Sequence, residues 1–142
     1  MINQVSVFIQ NSSGRLAAAA QFLADANIDI RALSLADTTD FGILRMIVND
    51  TDKAVKVLKE NNRIVNITPV LRVKLPDKPG SLALITKLLS DNEIDIQYMY
   101  AFVSASNDGA YMVIKVENPD AAVELLNKNN IALLEEKDIQ NI

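Results

Sequence analysis

Two stretches of the chain, Asn11-Ser12-Ser13-Gly14-Arg15-Leu16 and Asp77-Lys78-Pro79-Gly80-Ser81-Leu82, place a glycine where alternating apolar residues give way to helical spacing. A strand that turns there into a helix presents the helix N-terminus, whose first N–H groups lack intrahelical acceptors and carry partial positive charge. That end suits an anionic group such as a carboxylate. The glycine has no Cβ to hold a ligand away. The plainer reading is that Gly14 and Gly80 only make the turn, with Ser13 or Asp77 satisfying the helix end. Neither stretch is a phosphate loop, because no GxxxxGKS/T and no GxGxxG occurs in the chain.

A second recurring element is Asn27-Ile28-Asp29-Ile30 and Glu93-Ile94-Asp95-Ile96. It opens a strand expected to lie beside the first strand. Asp29 and Asp95 each stand between two core isoleucines, so alternation turns them to the sheet face away from the helices. A carboxylate there, close to a helix N-terminus, could take an ammonium group while the glycine loop takes a carboxylate. That is the charge layout of an α-amino acid. A solvated or capping Asp is the alternative. The candidate ligand-binding residues are therefore the two glycine loops with Asp29, Ile30, Asp95 and Ile96.

The elements that position these residues are written twice. Val5–Asp37 aligns with Leu71–Val103, matching at Val7/Val73, Gly14/Gly80, Leu16/Leu82, Leu23/Leu89 and Asp25/Asp91, among others. Gly42–Asn62 aligns with Ala110–Asn130, matching at Val48/Val116, Asp52/Asp120, Leu58/Leu126, Asn61/Asn129 and Asn62/Asn130, among others. The second copy has a longer loop around Ser104–Gly109. Ordered matches through both halves mark an internal duplication.

Each copy reads as β-α-β-β-α-β. Val5, Val7 and Ile9 alternate with polar residues, as do Leu71, Val73 and Leu75. The first helices carry Leu16, Ala19, Ala20, Leu23 and Leu82, Ile85, Leu89 on one face. Third strands follow at Ile43–Val48 and Tyr111–Val116. Asp50 and Asn118 suit the N-cap of the second helices, and Pro119 suits a first helical position. Last strands fall near Ile64–Thr68 and Ala132–Glu136.

The pattern predicts an α+β fold of two tandem ferredoxin-like βαββαβ units, with antiparallel sheets and helices on one face. The boundaries are 1–69 and 70–142. No linker separates the copies, and Ile64 to Leu75 is strand-like apart from Pro69. In the third strands Leu44, Met46, Val48 and Met112, Ile114, Val116 take the helix side. The opposite side is mixed rather than polar, and the second strands are apolar on both faces, which implies burial on both. Another copy or another chain is expected to cover the free faces or edges. Otherwise Leu33, Leu35 and Met99 are scattered exposed residues.

Composition narrows the chemistry. The 142 residues include no Cys and no His, so thiolate nucleophiles, disulfides, zinc fingers and His-dependent catalysis are out. A carboxylate-only Mg²⁺ or Ca²⁺ site stays open in principle, but no metal or other cofactor is expected. The net charge of −4 argues against a phosphate backbone as main partner. RNA-recognition modules share this strand order, yet they need sheet-face aromatics in a basic setting, and the third strands offer little beyond Tyr111. No apolar run reaches a membrane span and no signal-peptide pattern opens the chain, so a soluble, cytoplasmic protein is expected. No pair of carboxylate, Lys or Tyr residues has the spacing of a catalytic site, and the run Glu135-Glu136-Lys137-Asp138 reads as a solvated edge.

Asp77-Lys78-Pro79-Gly80-Ser81-Leu82, the helix ending in Leu88-Leu89-Ser90-Asp91-Asn92, and then Ile94-Asp95-Ile96 resemble the opening of an ACT domain. That family's pattern is roughly D-x-P-G-x-L, a helix, and a short I-N-I strand. The first copy resembles it more loosely, keeping Gly14 and Leu16 but not the Asp and Pro; Asp29 and Asp95 stand where the family often has Asn. The resemblance covers nearly the whole chain, as two tandem copies. It implies a non-catalytic regulatory module that binds a free amino acid or similar small zwitterion at the glycine loops, near a domain or subunit interface. From the apolar sheet faces a homodimer is expected, and with no catalytic or DNA-binding domain to control, an effector protein is expected to read the ligand. The alternative is an interaction module with a vestigial pocket.

Overall fold

The computed structural model describes residues 1–10, 12–37, 40–103 and 109–135. Asn11, on which part of the first loop rests, lies outside them, as do most of the longer second-copy loop and the end of the expected last strand. The chain divides into two compact units, Asn3–Thr68 and Pro69–Ile142 with Met1–Ile2.

The first unit is built from β1 (Ile2–Gln10), α1 (Arg15–Asp25), β2 (Ile30–Asp37), β3 (Phe41–Val48), α2 (Thr51–Glu60) and the first half of β4 (Ile64–Leu75). Its strands lie in the order β2-β3-β1-β4. β1 and β3 are antiparallel with Val7 opposite Leu44 and Gln10 opposite Phe41. β2 and β3 are antiparallel with Leu35 opposite Leu44 and Ile30 opposite Val48. The helix side of this sheet, with Val5, Val7, Leu44, Met46 and Val48, closes on Ala19 and Leu23 of α1 and Ala54 and Leu58 of α2.

The second unit repeats the plan with the rest of β4, then α3 (Ser81–Asp91), β5 (Ile96–Ala101), β6 (Ala110–Val116) and α4 (Pro119–Lys128). β4 pairs antiparallel with β6, Val73 opposite Met112, and β6 with β5, Ile114 opposite Met99. Leu71, Val73, Ile114 and Val116 pack on Ile85, Leu89, Ala122 and Leu126. Of the expected last strand, Leu133 forms an antiparallel bridge with Val73, and Lys74 N–H donates to the Ala132 carbonyl at 3.0 Å; Glu136 lies outside the described residues.

One expectation is corrected. The second strand of each copy does not lie beside the first, because β3 separates β2 from β1 and β6 separates β5 from β4. The helical crossover skips one strand position, and the hairpin that follows fills it, which is the split β-α-β arrangement. On the sheet side away from the helices Ile47 and Val113 are buried. Met99 packs against the second core, whereas Leu33 and Leu35 are exposed.

Candidate functional site

Among the described residues the four helices begin in two different ways. α2 starts behind Asp50, whose side chain accepts from Lys53 N–H at 3.1 Å, and α4 behind Asn118, which accepts from Ala121 N–H at 3.2 Å. α1 and α3 start behind Gly14 and Gly80 in the left-handed region (φ 84° and 90°), and among the described residues no side chain caps either. Neither Ser13 nor Asp77 therefore satisfies these ends. The first regular helical bonds are Ala18 N–H to Gly14 and Leu84 N–H to Gly80, both 3.0 Å, so the N–H groups of Leu16, Ala17, Leu82 and Ala83 precede them. A Cβ built on either glycine meets nothing within 4 Å. Open space stands in front of both bare helix ends.

Each loop borders a cavity of about 480 Å³, within the roughly 300–1,000 Å³ of small-ligand sites. In the second unit its walls include Leu75, Lys78, Gly80, Ser81, Ile85 and the Asn129-Asn130-Ile131 turn. In the first unit they include Phe8, Ile9, Arg15, Phe41 and the Asn62-Arg63 turn. The two cavities occupy corresponding positions of the repeat. Both bring the start of one helix next to the turn that ends the other, where Asn62 and Asn130 hold positive φ of 61° and 56°. The helix starts offer unpaired N–H groups to these cavities, whereas the facing helix ends are closed, with Arg63 N–H donating to Leu58 O and Ile131 N–H to Leu126 O.

The copies differ at the first helical residue. Ser81 is only 8% exposed, and its Oγ is buried without a hydrogen-bond partner. Arg15, at the equivalent place, is exposed, and its Nε donates to Ser12 Oγ at 3.3 Å. Ser12 and Leu16 also line a smaller cavity of about 240 Å³ with Leu35, Asp37 and Gly42. Ser13, Asp77 and Leu82 are exposed, and Pro79 lines the second-unit cavity.

Asp29, Ile30, Asp95 and Ile96 sit elsewhere. In the first unit the glycine loop follows Gln10, which pairs with Phe41 beside Asp37, while Ile30 pairs with Val48. β2 has 8 residues, so at roughly 3.3 Å per residue Asp29 lies about 25 Å from the loop end of its own unit. Its N–H donates to Asn49 Oδ1 at 2.9 Å, and its carboxylate lies 3.3 Å from Arg31. Asp95 lines a separate cleft of about 620 Å³ with Glu93, Glu117 and Asn118. Ile30 and Ile96 pack against the two cores. The helix N-terminus near Asp95 is therefore that of α4, already capped, and not that of α3. The Asn-Asn turns match no binding motif, and only their recurrence at Asn61-Asn62 and Asn129-Asn130 marks them in the sequence. Among the described residues no group of acidic side chains is placed to hold a metal ion, and no helix is long and apolar enough to cross a membrane.

Against known proteins, the crystal structure of protein BT0572 from Bacteroides thetaiotaomicron is 42% identical, with a TM-score of 0.91 over 99% of this chain and 96% of that one. The regulatory subunit of aspartate kinase from Thermus thermophilus has the same fold at 15% identity, with a TM-score of 0.62 over 89% and 90% of the two chains. Its Thermus flavus counterpart gives 16% identity and a TM-score of 0.60 over the same shares. No curated protein sequence matches. The family model of the ACT domain pair matches residues 1–142, and with the twofold βαββαβ repeat already described this makes the chain a member of the ACT domain pair family.

Proposed function

We propose that the chain is a non-catalytic regulatory protein that binds a free amino acid, or a similar small zwitterion, at its strand-to-helix glycine loops. The observation that carries this reading is the cavity recurring at both uncapped helix starts. Membership of the ACT domain pair family supports it, as does the use of this fold by a regulatory subunit of aspartate kinase. The ligand acts by binding one state of the protein better than another, and an effector protein reads that difference. The same reading puts the protein in the cytoplasm as a homodimer, which light scattering over a concentration series tests. Asp29 and Asp95 stand too far from the loops of their own units to share such a ligand there.

Titration calorimetry with each of the twenty amino acids, paired with thermal melts, tests the proposal. One or a few should give saturable heat and raise the melting temperature, since a ligand selective for the folded chain stabilises it. Silence from all twenty in both measurements overturns it. The second reading, an interaction module with a vestigial pocket, draws on the exposed Leu33 and Leu35 of the edge strand β2. It predicts a protein partner recovered in equal yield with and without amino acids.

A further inference from the structure

We infer that two copies of the chain join edge to edge along β2, antiparallel, about a twofold axis at Ser34. This rests on the homodimer reading above and names its surface and register; it does not depend on the ligand. Among the described strands β2 is an edge. An edge strand offers a row of unpaired N–H and C=O groups, and proteins commonly guard it with Pro or Lys. The β2 sequence, Ile-Arg-Ala-Leu-Ser-Leu-Ala-Asp, has neither. Leu33 and Leu35 pair with Met46 and Leu44, so they stand on the helix side of the sheet, yet they are 45% and 51% exposed. An unguarded edge that leaves two leucines in water is a template for a further strand.

The charges of β2 itself select a second copy as the occupant. Facing residues of an antiparallel pair share a sheet face, so the axis of a symmetric pair passes through a residue and not between two. An axis at Leu33 sets Asp37 opposite Asp29 of the second copy, two like charges. An axis at Leu35 sets Asp37 opposite Leu33 of the second copy. An axis at Ser34 sets Leu33 opposite Leu35 and Arg31 opposite Asp37, and symmetry repeats both pairs. Apolar then meets apolar, and opposite charges meet at both ends of the pair. The β2–β3 register shifts between Ile30 and Ala32, so the regular run is Ala32–Asp37, and Arg31 stands one step beyond it. Its guanidinium lies 3.3 Å from the Asp29 carboxylate of its own chain; in the dimer it also faces Asp37 of the second copy. β5, the other edge, carries no charged residue that could fix a register in this way.

The chain has no cysteine, so one introduced thiol reads the register directly. Under mild oxidation Ser34→Cys should run as a covalent dimer on a non-reducing gel. Ala36→Cys should stay single, because its two copies lie about 13 Å apart along the paired strands. Sedimentation of the full chain over a concentration series should show a dimer. Arg31→Asp and Asp37→Arg should each weaken it about tenfold or more, and the double variant should return to within about threefold of the wild type. That rescue separates pairing across the axis from simple damage to the fold. A chain that stays monomeric overturns this inference and the homodimer reading together, while amino-acid binding stands or falls by its own titration. A monomer that takes up a different protein through Leu33 and Leu35 overturns it in favour of the interaction-module reading. A dimer in which Ala36→Cys links and Ser34→Cys does not, or one that ignores both charge reversals, overturns this inference alone.

Discussion

Gly14 and Gly80 illustrate how a single residue type serves shape and access together. Their φ of 84° and 90° lies where an L side chain is strained, yet a Cβ would meet nothing within 4 Å. Gly80→Ala should therefore cost about 1 kcal/mol through the backbone alone, read from the urea midpoint. A loss several times larger would mean that the space in front of the loop is filled. Glu93 runs the other way. It holds φ 57° just after α3, where the first copy has Asn27 at the same φ. Glu93→Gly should raise stability by up to about 1 kcal/mol, because the left-handed region penalises Glu and not Gly. An unchanged or lower melting temperature would count against the strain. Glycine turns and recurring Asp and Asn residues were legible in the residues themselves. The orphaned Ser81 hydroxyl was not, because lack of a partner is a property of packing in three dimensions.

At the scale of elements, the helix starts separate structure from function. Asn118 and Asp50 close α4 and α2 with side-chain bonds, so Asn118→Ala or Asp50→Ala should each cost about 1 kcal/mol. Ser13→Ala and Asp77→Ala, at exposed positions that cap nothing, should stay within about 0.5 kcal/mol. Denaturant curves of the four variants decide this, and a large loss at Asp77 would reveal a cap. Both caps and the inward faces of the third strands could be read from alternation and turn chemistry, since Leu44, Met46 and Val48 repeat with period two. Strand neighbours could not, because periodicity assigns a face and leaves the partner open. The misplacement of Asp29 had a local remedy. α1 has 11 residues, about 16 Å of helix, so a strand beginning after it must start at the end of the unit opposite Gly14.

At the scale of the whole chain, β4 is a single strand of 12 residues whose first half belongs to one unit and whose second half centres the other through Leu71 and Val73. Units of roughly 65–70 residues bury modest cores and are marginal alone. With no linker to absorb a local failure, loss of the first core releases Ile64–Thr68 and frees the strand that the second core is built on. All three tyrosines, Tyr98, Tyr100 and Tyr111, lie in the second unit, so tyrosine fluorescence reports on that unit alone while circular dichroism sees both. Leu23→Ala, in the fully buried first core, should cost about 2–5 kcal/mol. It should also move the tyrosine transition and the dichroism transition together, as one cooperative event. A tyrosine midpoint that stays at its wild-type value, while dichroism splits into two steps, would mean that each unit folds on its own. The shared strand would then be a covalent convenience and not a mechanical coupling, and a ligand held in one unit would have no route through β4 to the other.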